Sequence, residues 1–169
     1  SAIMPLAPLP EPPQIDAAKA ELGRLLFFDP RLSGDATISC ATCHDPDKGF
    51  GDGQPLGSGY PGSLYFRNSP TLINATLQTR FTWDGRLDGG DPATLVRDMV
   101  TEAHTMNIDG RLLQERFKQV PGYVEKWRAI FGNSDPYGPQ IFAMIGEFLK
   151  TIRSRPTPFD RHLVGEAGA

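Results

Sequence analysis

The chain has 169 residues and 18.5 kDa, with 39% apolar and 22% charged side chains, enough for one domain with a sizeable core and inconsistent with wholesale disorder. Its 17 basic and 20 acidic residues leave a net charge of −3, which does not support a nucleic-acid footprint. No apolar run approaches the roughly 18–20 residues of a membrane span, and 16 prolines with 18 glycines predict long ordered loops between short helices.

Residues 1–14 are proline-rich (Pro5, Pro8, Pro10, Pro12, Pro13) and read as an extended lead-in to a single domain over 15–169. Ser1 is not preceded by a charged and apolar leader, so any signal peptide is expected to have been removed from this numbering. Asp16 caps a predicted helix whose Ala18, Leu22, Leu25 and Leu26 recur at three- and four-residue steps until Asp29-Pro30 stops it. From Arg31 to about Arg80 no helical period is sustained, and Gly49, Gly51, Gly53, Gly57, Gly59 and Gly62 mark a long loop of the kind usually wrapped around something functional.

The second half reads as helical. Asp91-Pro92 opens a helix with Leu95, Val96 and Met99 on one stripe. Asp109 caps one carrying Leu112, Leu113 and Phe117. Pro121 opens the next, with Val124, Trp127 and Phe131, which Gly132 closes. The last begins near Pro139, presents Ile141, Ile145, Phe148, Leu149 and Ile152, and ends before Pro156. No strand alternation stands out, so the expected class is all-α with large loops.

The two cysteines lie together in Cys40-Ala41-Thr42-Cys43-His44, the pattern of a c-type haem attachment site. Two thiols at this spacing can each add to one vinyl group of the same porphyrin, and the next residue supplies an imidazole to the iron. Other readings are a disulfide, which belongs beside a βαβ pattern absent here, a zinc site recruiting His104 or His162, and two structural cysteines. Only haem attachment needs the adjacent histidine. It also implies a periplasmic or otherwise exported protein.

The run Leu22-Gly23-Arg24-Leu25-Leu26-Phe27-Phe28-Asp29-Pro30-Arg31-Leu32-Ser33, with Ile38-Ser39 before the cysteines, resembles the amino-terminal haem domain of bacterial dihaem cytochrome c peroxidases. So do Arg67-Asn68-Ser69-Pro70-Thr71, Trp83-Asp84-Gly85-Arg86, Met106-Asn107, Pro121-Gly122-Tyr123-Val124 and Pro158-Phe159-Asp160, in order over about residues 20–165. The resemblance implies a class I cytochrome c-like helical fold around a covalent haem c.

It also implies differences in activity. Family enzymes carry a second haem motif in a carboxy-terminal domain, and this sequence ends at Ala169, about where that domain would begin. The family glutamate that acts as acid and base on peroxide falls on Thr105, which has no titrating carboxylate. The histidine that many members hold in the glycine loop falls on Ser58. A monohaem variant is therefore expected, transferring single electrons between protein partners. The alternative is the haem-bearing part of a peroxidase working with a second-haem subunit.

For the distal side of the iron, Glu102-Ala103-His104-Thr105-Met106 offers Met106 as candidate ligand and His104 as alternative, with Met99 or an open site also to be considered. Met106 could equally be core packing, and His104 a partly exposed loop residue. Glu102 could replace the missing acid, although an acidic group near a helix end is commonly just solvated. Trp83 matches the family tryptophan credited with electron relay and would otherwise be core. Arg67 and Arg86 suit haem propionates or surface ion pairs. Asn68 matches a family calcium ligand, without enough partners here to claim calcium. His162 reads as surface.

Overall fold

The computed structural model describes residues 6–60, 62, 63 and 67–166. Residues 6–16 have no regular structure, and the part of the expected lead-in before Leu6 lies outside the described residues. The segment is tied down where Arg153 Nη2 donates to the Pro10 carbonyl at 2.5 Å. Helix α1 (Ala17–Phe27) begins where the Asp16 carboxylate accepts from the Ala18 and Lys19 amides. It gives way to a 3-10 turn, Pro30–Leu32, capped by Asp29.

The buried face of α1 is Ala20, Leu22, Gly23, Leu26 and Phe27, so the predicted stripe is corrected. Ala18 is exposed, and Gly23 joins the buried side. The cause is α6 (Gly138–Leu149): a Cβ on Gly23 would lie 1.9 Å from the Met144 carbonyl oxygen, so the two backbones touch there.

α3 (Pro92–Thr101) starts on the Asp91 cap and packs against α6. α4 (Gly110–Lys118) starts on the Asp109 cap, and α5 (Pro121–Phe131) ends at Gly132 in the left-handed conformation that favours glycine. Between α4 and α5 lies Trp127, fully buried, with ring centroids 5.4 Å from Phe117 and 4.3 Å from Phe131. Of the three apolar residues expected on this helix, Leu112 is 42% exposed: Leu113 and Phe117 take the inner face, and one helical step turns Leu112 away from it. Ile152 is buried but lies beyond the end of α6.

The long loop region contains short turns that a periodicity search does not see. The cysteine motif forms one helical turn, α2 (Cys40–Cys43), and 3-10 turns follow at Pro46–Lys48 and Ala75–Leu77. A minimal hairpin pairs β1 (Arg80–Phe81) with β2 (Leu87–Asp88), Arg80 opposite Asp88 and Phe81 opposite Leu87. Two residues per strand are too few to alternate, which is why no strand was expected. A last helix, α7 (Pro158–Leu163), sits on the Thr157 cap and was not anticipated. The described residues are mostly helical, as expected.

Candidate functional site

The helical turn α2 carries both thiols three positions apart, which puts them on one side of the turn. It is held at its start by the Ser39 amide donating to Thr42 Oγ1 at 3.0 Å, and at its end by the His44 amide donating to the Cys40 carbonyl at 2.9 Å. The chain then doubles back through Asp45–Gly51. Phe50, left-handed at φ 58°, accepts a hydrogen bond from His44 Nδ1 at 3.0 Å. A bulky residue in this conformation is strained, and strain of this kind gathers at functional sites.

With its proton on Nδ1, the His44 ring keeps the Nε2 lone pair for a metal, and a carbonyl partner of this kind orients a ligating imidazole. Burial pulls the His44 pKa below the ordinary imidazole value, with the Phe50 and Pro70 carbonyls and Asp52 opposing it. The ring is thus biased to the neutral form that a metal needs. Burial pushes the Cys40 thiol up to about 12, and burial with the charge of Asp52 raises Cys43. Cys40 packs against the hydrophobic core, and Cys43 Sγ donates to the Ser58 carbonyl at 3.3 Å.

Both cysteines are unbonded. Among the described residues no group of three or more His, Cys, Asp or Glu side chains could hold a metal ion, so the zinc reading has no ligand set. Paired free thiols on one turn, followed by a half-buried imidazole held through Nδ1, fit covalent haem.

The loop after α3, residues 102–107, is fastened to two segments by its own carbonyls. Met106 O accepts from the Gly34 amide at 2.8 Å, and His104 O accepts from the Tyr60 amide at 3.1 Å. Both approaches need glycine: a Cβ on Gly34 would stand 2.6 Å from Asn107 O, and one on Gly59 2.2 Å from His104 O. Ser58, which holds Cys43, adjoins Gly59. The cysteine motif, the glycine loop and the 102–107 loop are therefore brought together.

Within that loop Met106 is buried, in the same core that Cys40 packs against. His104 and Glu102 are about half-exposed, with Nδ1 3.8 Å from Oε2. The Thr105 hydroxyl is directed to the Met99 and Glu102 carbonyls. Met99 is partly buried.

Trp83 is 59% exposed, its Nε1 donating to the Asn68 carbonyl at 2.9 Å. The core reading of Trp83 is corrected, because the tight turn of the hairpin holds the ring outward. Arg86 forms an exposed ion pair with Asp84 at 3.2 Å. Arg67 is exposed at the edge of the glycine loop, its carbonyl accepting from the Gly57 amide, and Asn68 Nδ2 donates to the Gln54 carbonyl. His162 is exposed. Sequence reasoning passed over the buried Asp52 and the Phe50 and Ser58 carbonyls; only the density of glycines around them was a signal.

A family model described as di-haem cytochrome c peroxidase matches residues 17–168. The chain belongs to the di-haem cytochrome c peroxidase family. It is a peroxidase-like haem protein with haem c as its cofactor. It is 56% identical over 164 residues to the cytochrome-c peroxidase IdrP2 of Denitromonas iodatirespirans, covering 97% of this chain and 44% of that protein. It is 37% identical to the methylamine utilization protein MauG of Methylorubrum extorquens, covering 96% and 46%. The chain spans about half the length of the curated relatives it matches.

Among solved structures, a MauG-like protein associated with microbial copper homeostasis superposes with a TM-score of 0.82 at 26% identity, over 100% of this chain and 50% of that one. The expected cytochrome c-like helical class holds for this member of the peroxidase family. No helix among the described residues is long and apolar enough to cross a membrane.

Proposed function

We propose that one haem c is held through thioether bonds by Cys40 and Cys43, with His44 Nε2 as proximal iron ligand, and that the domain transfers single electrons between redox proteins outside the cytoplasm. The observation that carries this reading is the His44 ring, half-buried, biased to neutrality and fixed through Nδ1 on Phe50. In attachment each S–H adds across one vinyl group: sulfur bonds one carbon, hydrogen goes to the other, and no oxidant is consumed. The bound haem supplies an iron that cycles between ferric and ferrous.

Met106 is proposed as the distal ligand. Its thioether is the buried side chain of the 102–107 loop, on the core that Cys40 also touches, whereas His104 and Glu102 pair at the surface. A thioether ligand favours ferrous iron and raises the potential. Thr105, tied to backbone carbonyls, offers no acid. Arg67 at the glycine loop and the outward Trp83 are proposed to flank the haem edge where a redox partner approaches.

The second reading is peroxide reduction, favoured by the peroxidase names of relatives whose length this chain half covers. Converting hydrogen peroxide to two waters takes two electrons and two protons. A redox protein or a second-haem subunit would supply the electrons that one ferrous iron cannot, and Glu102 would be the candidate acid.

Electron paramagnetic resonance of the ferric holoprotein separates the two. The carrier reading expects a low-spin signal that turns high-spin in Met106→Ala and persists in His104→Ala. High-spin ferric iron in the wild type, with peroxide turnover, overturns it in favour of the peroxidase. Loss of the low-spin signal in His104→Ala alone makes His104 the ligand and Met106 packing.

A further inference from the structure

We propose that Arg116 is a positioning residue for the haem iron: from α4 it clamps the stretch that holds the Met106 loop, and so keeps the thioether in place. The inference rests on the haem and distal-ligand reading above. The 3-10 turn Pro30–Leu32 hands on to Ser33 and Gly34. Three carbonyls of this short stretch meet one guanidinium that lies 82–85 residues further along the chain. Arg116 Nη1 donates to Arg31 O at 3.0 Å and to Ser33 O at 2.6 Å, and Nη2 donates to Gly34 O at 2.9 Å.

Ser33 and Gly34 each reach one side of the candidate site. Gly34 turns its amide to the distal loop and donates to Met106 O at 2.8 Å. No side chain fits at that approach, since a Cβ on Gly34 would lie 2.6 Å from Asn107 O. Ser33 is fully buried, and its Oγ accepts from the Thr37 and Ile38 amides at 3.1 and 3.2 Å. Ile38 is followed by Ser39, the residue that caps the cysteine turn α2. The pair 33–34 thus ties the loop carrying Met106 to the chain that leads into the attachment turn, and Arg116 grips both of its carbonyls.

The residue type suits the task. Three carbonyls on one side chain match the planar fork of a guanidinium, which stays charged at any working pH. A lysine ammonium carries the charge but offers no rigid fork. Hydrogen bonds from a charged donor are also stronger than those between neutral groups. Arg116 lines an open cleft with Arg31, Gln119, Val120 and Pro121. Removing the guanidinium therefore admits water to the three carbonyls instead of sealing them in unpaired, and the main effect falls on the position of the stretch.

The consequence is a bias on the distal ligand. An external base such as imidazole can take the sixth position of ferric haem only when the Met106 sulfur lets go. Its apparent affinity therefore reports how large a fraction of the protein has the loop withdrawn. Arg116 acts on the iron through Gly34 and the loop, so loosening its clamp raises that fraction.

The test is an imidazole titration of the ferric haem-loaded protein, followed by its absorption spectrum. Arg116→Met is expected to bind imidazole about tenfold more tightly than the wild type, the factor that the loss of one hydrogen bond allows, with Arg116→Lys between the two. Gln114→Ala is the control. It removes the bond from Gln114 Nε2 to Pro136 O at 2.8 Å on the same helix, and its imidazole affinity should match the wild type even where its denaturation midpoint falls. An unchanged affinity in Arg116→Met, or an equal gain in Gln114→Ala, overturns the proposal. If Arg116→Met yields no haem protein, Arg116→Lys decides: a raised affinity supports the clamp, and wild-type affinity overturns it. A low-spin wild type that turns high-spin in Met106→Ala, with both Arg116 variants behaving as wild type, sinks this inference alone. A high-spin ferric wild type overturns the distal-ligand reading and this inference with it.

Discussion

Replacing Gly59 with alanine puts a methyl group where the His104 carbonyl already stands. The added Cβ would lie 2.2 Å from that oxygen, against roughly 3.5 Å for ordinary contact. The oxygen belongs to the backbone and cannot rotate away, so the 102–107 loop has to withdraw. That movement strips the Tyr60 amide of its 3.1 Å bond to His104 O, worth about 1 kcal/mol. The overpacking itself costs about 1–3 kcal/mol.

Gly59 does not have a positive φ, so alanine suits the local backbone and returns about 0.4–1 kcal/mol through the unfolded chain. The balance is a net loss of about 1–3 kcal/mol, read by urea denaturation. A partial conversion of the ferric spectrum to high spin should accompany it as the loop carrying Met106 loosens. Gly122→Ala is the control: a Cβ there meets nothing within 4 Å, and stability should hold or rise by up to about 1 kcal/mol. A Gly59→Ala protein as stable as the wild type, with an unchanged ferric spectrum, refutes the fastening of the loop.

The haem-free chain should alkylate at Cys43 before Cys40, followed by mass spectrometry, because burial raises Cys40 further, to about 12. A thiol whose pKa is raised in the folded state keeps its proton there while the unfolded chain loses its own, so stability falls as pH rises from the ordinary 9.0 towards 12. The slope is at most about 1.4 kcal/mol per pH unit, and denaturation midpoints that stay level across this window contradict it. Gly23→Ala drives a Cβ to 1.9 Å from Met144 O at the α1–α6 contact; the loss by denaturation should exceed about 2 kcal/mol despite the better helix former, and unchanged stability would show that the helices can part freely.

Much of the helical frame is written in short-range signals. Asp16, Asp91, Asp109 and Gly132 act within one turn of themselves, so a linear reading finds the ends they mark. The attachment motif is equally local. Which way a helix faces is not: Ala18 and Leu112 are as apolar as their buried neighbours, and only the approach of α6 to Gly23 and the packing around Phe117 decide the inner side.

The loops were least legible because their contacts run through backbone atoms. Nothing in the side chains of His104 or Met106 announces that their carbonyls hold Tyr60 and Gly34. Trp83 illustrates the same gap, since its outward position follows from a two-residue hairpin too short to leave a pattern. Asp52 looks like one more polar residue in a glycine stretch, yet it is buried next to the Asp45–Gly51 bridge.

The grip on the 102–107 loop through main-chain carbonyls separates where the loop lies from what it displays. Any residue has a carbonyl, so the half-exposed side chains at positions 102 and 104 can be exchanged while the strap stays in place. An imidazole, a hydroxyl or a carboxylate can each be presented from those two positions at little structural cost. Such exchanges alter the chemistry the segment offers without moving it, with Gly34 and Gly59 as the two positions that must not change.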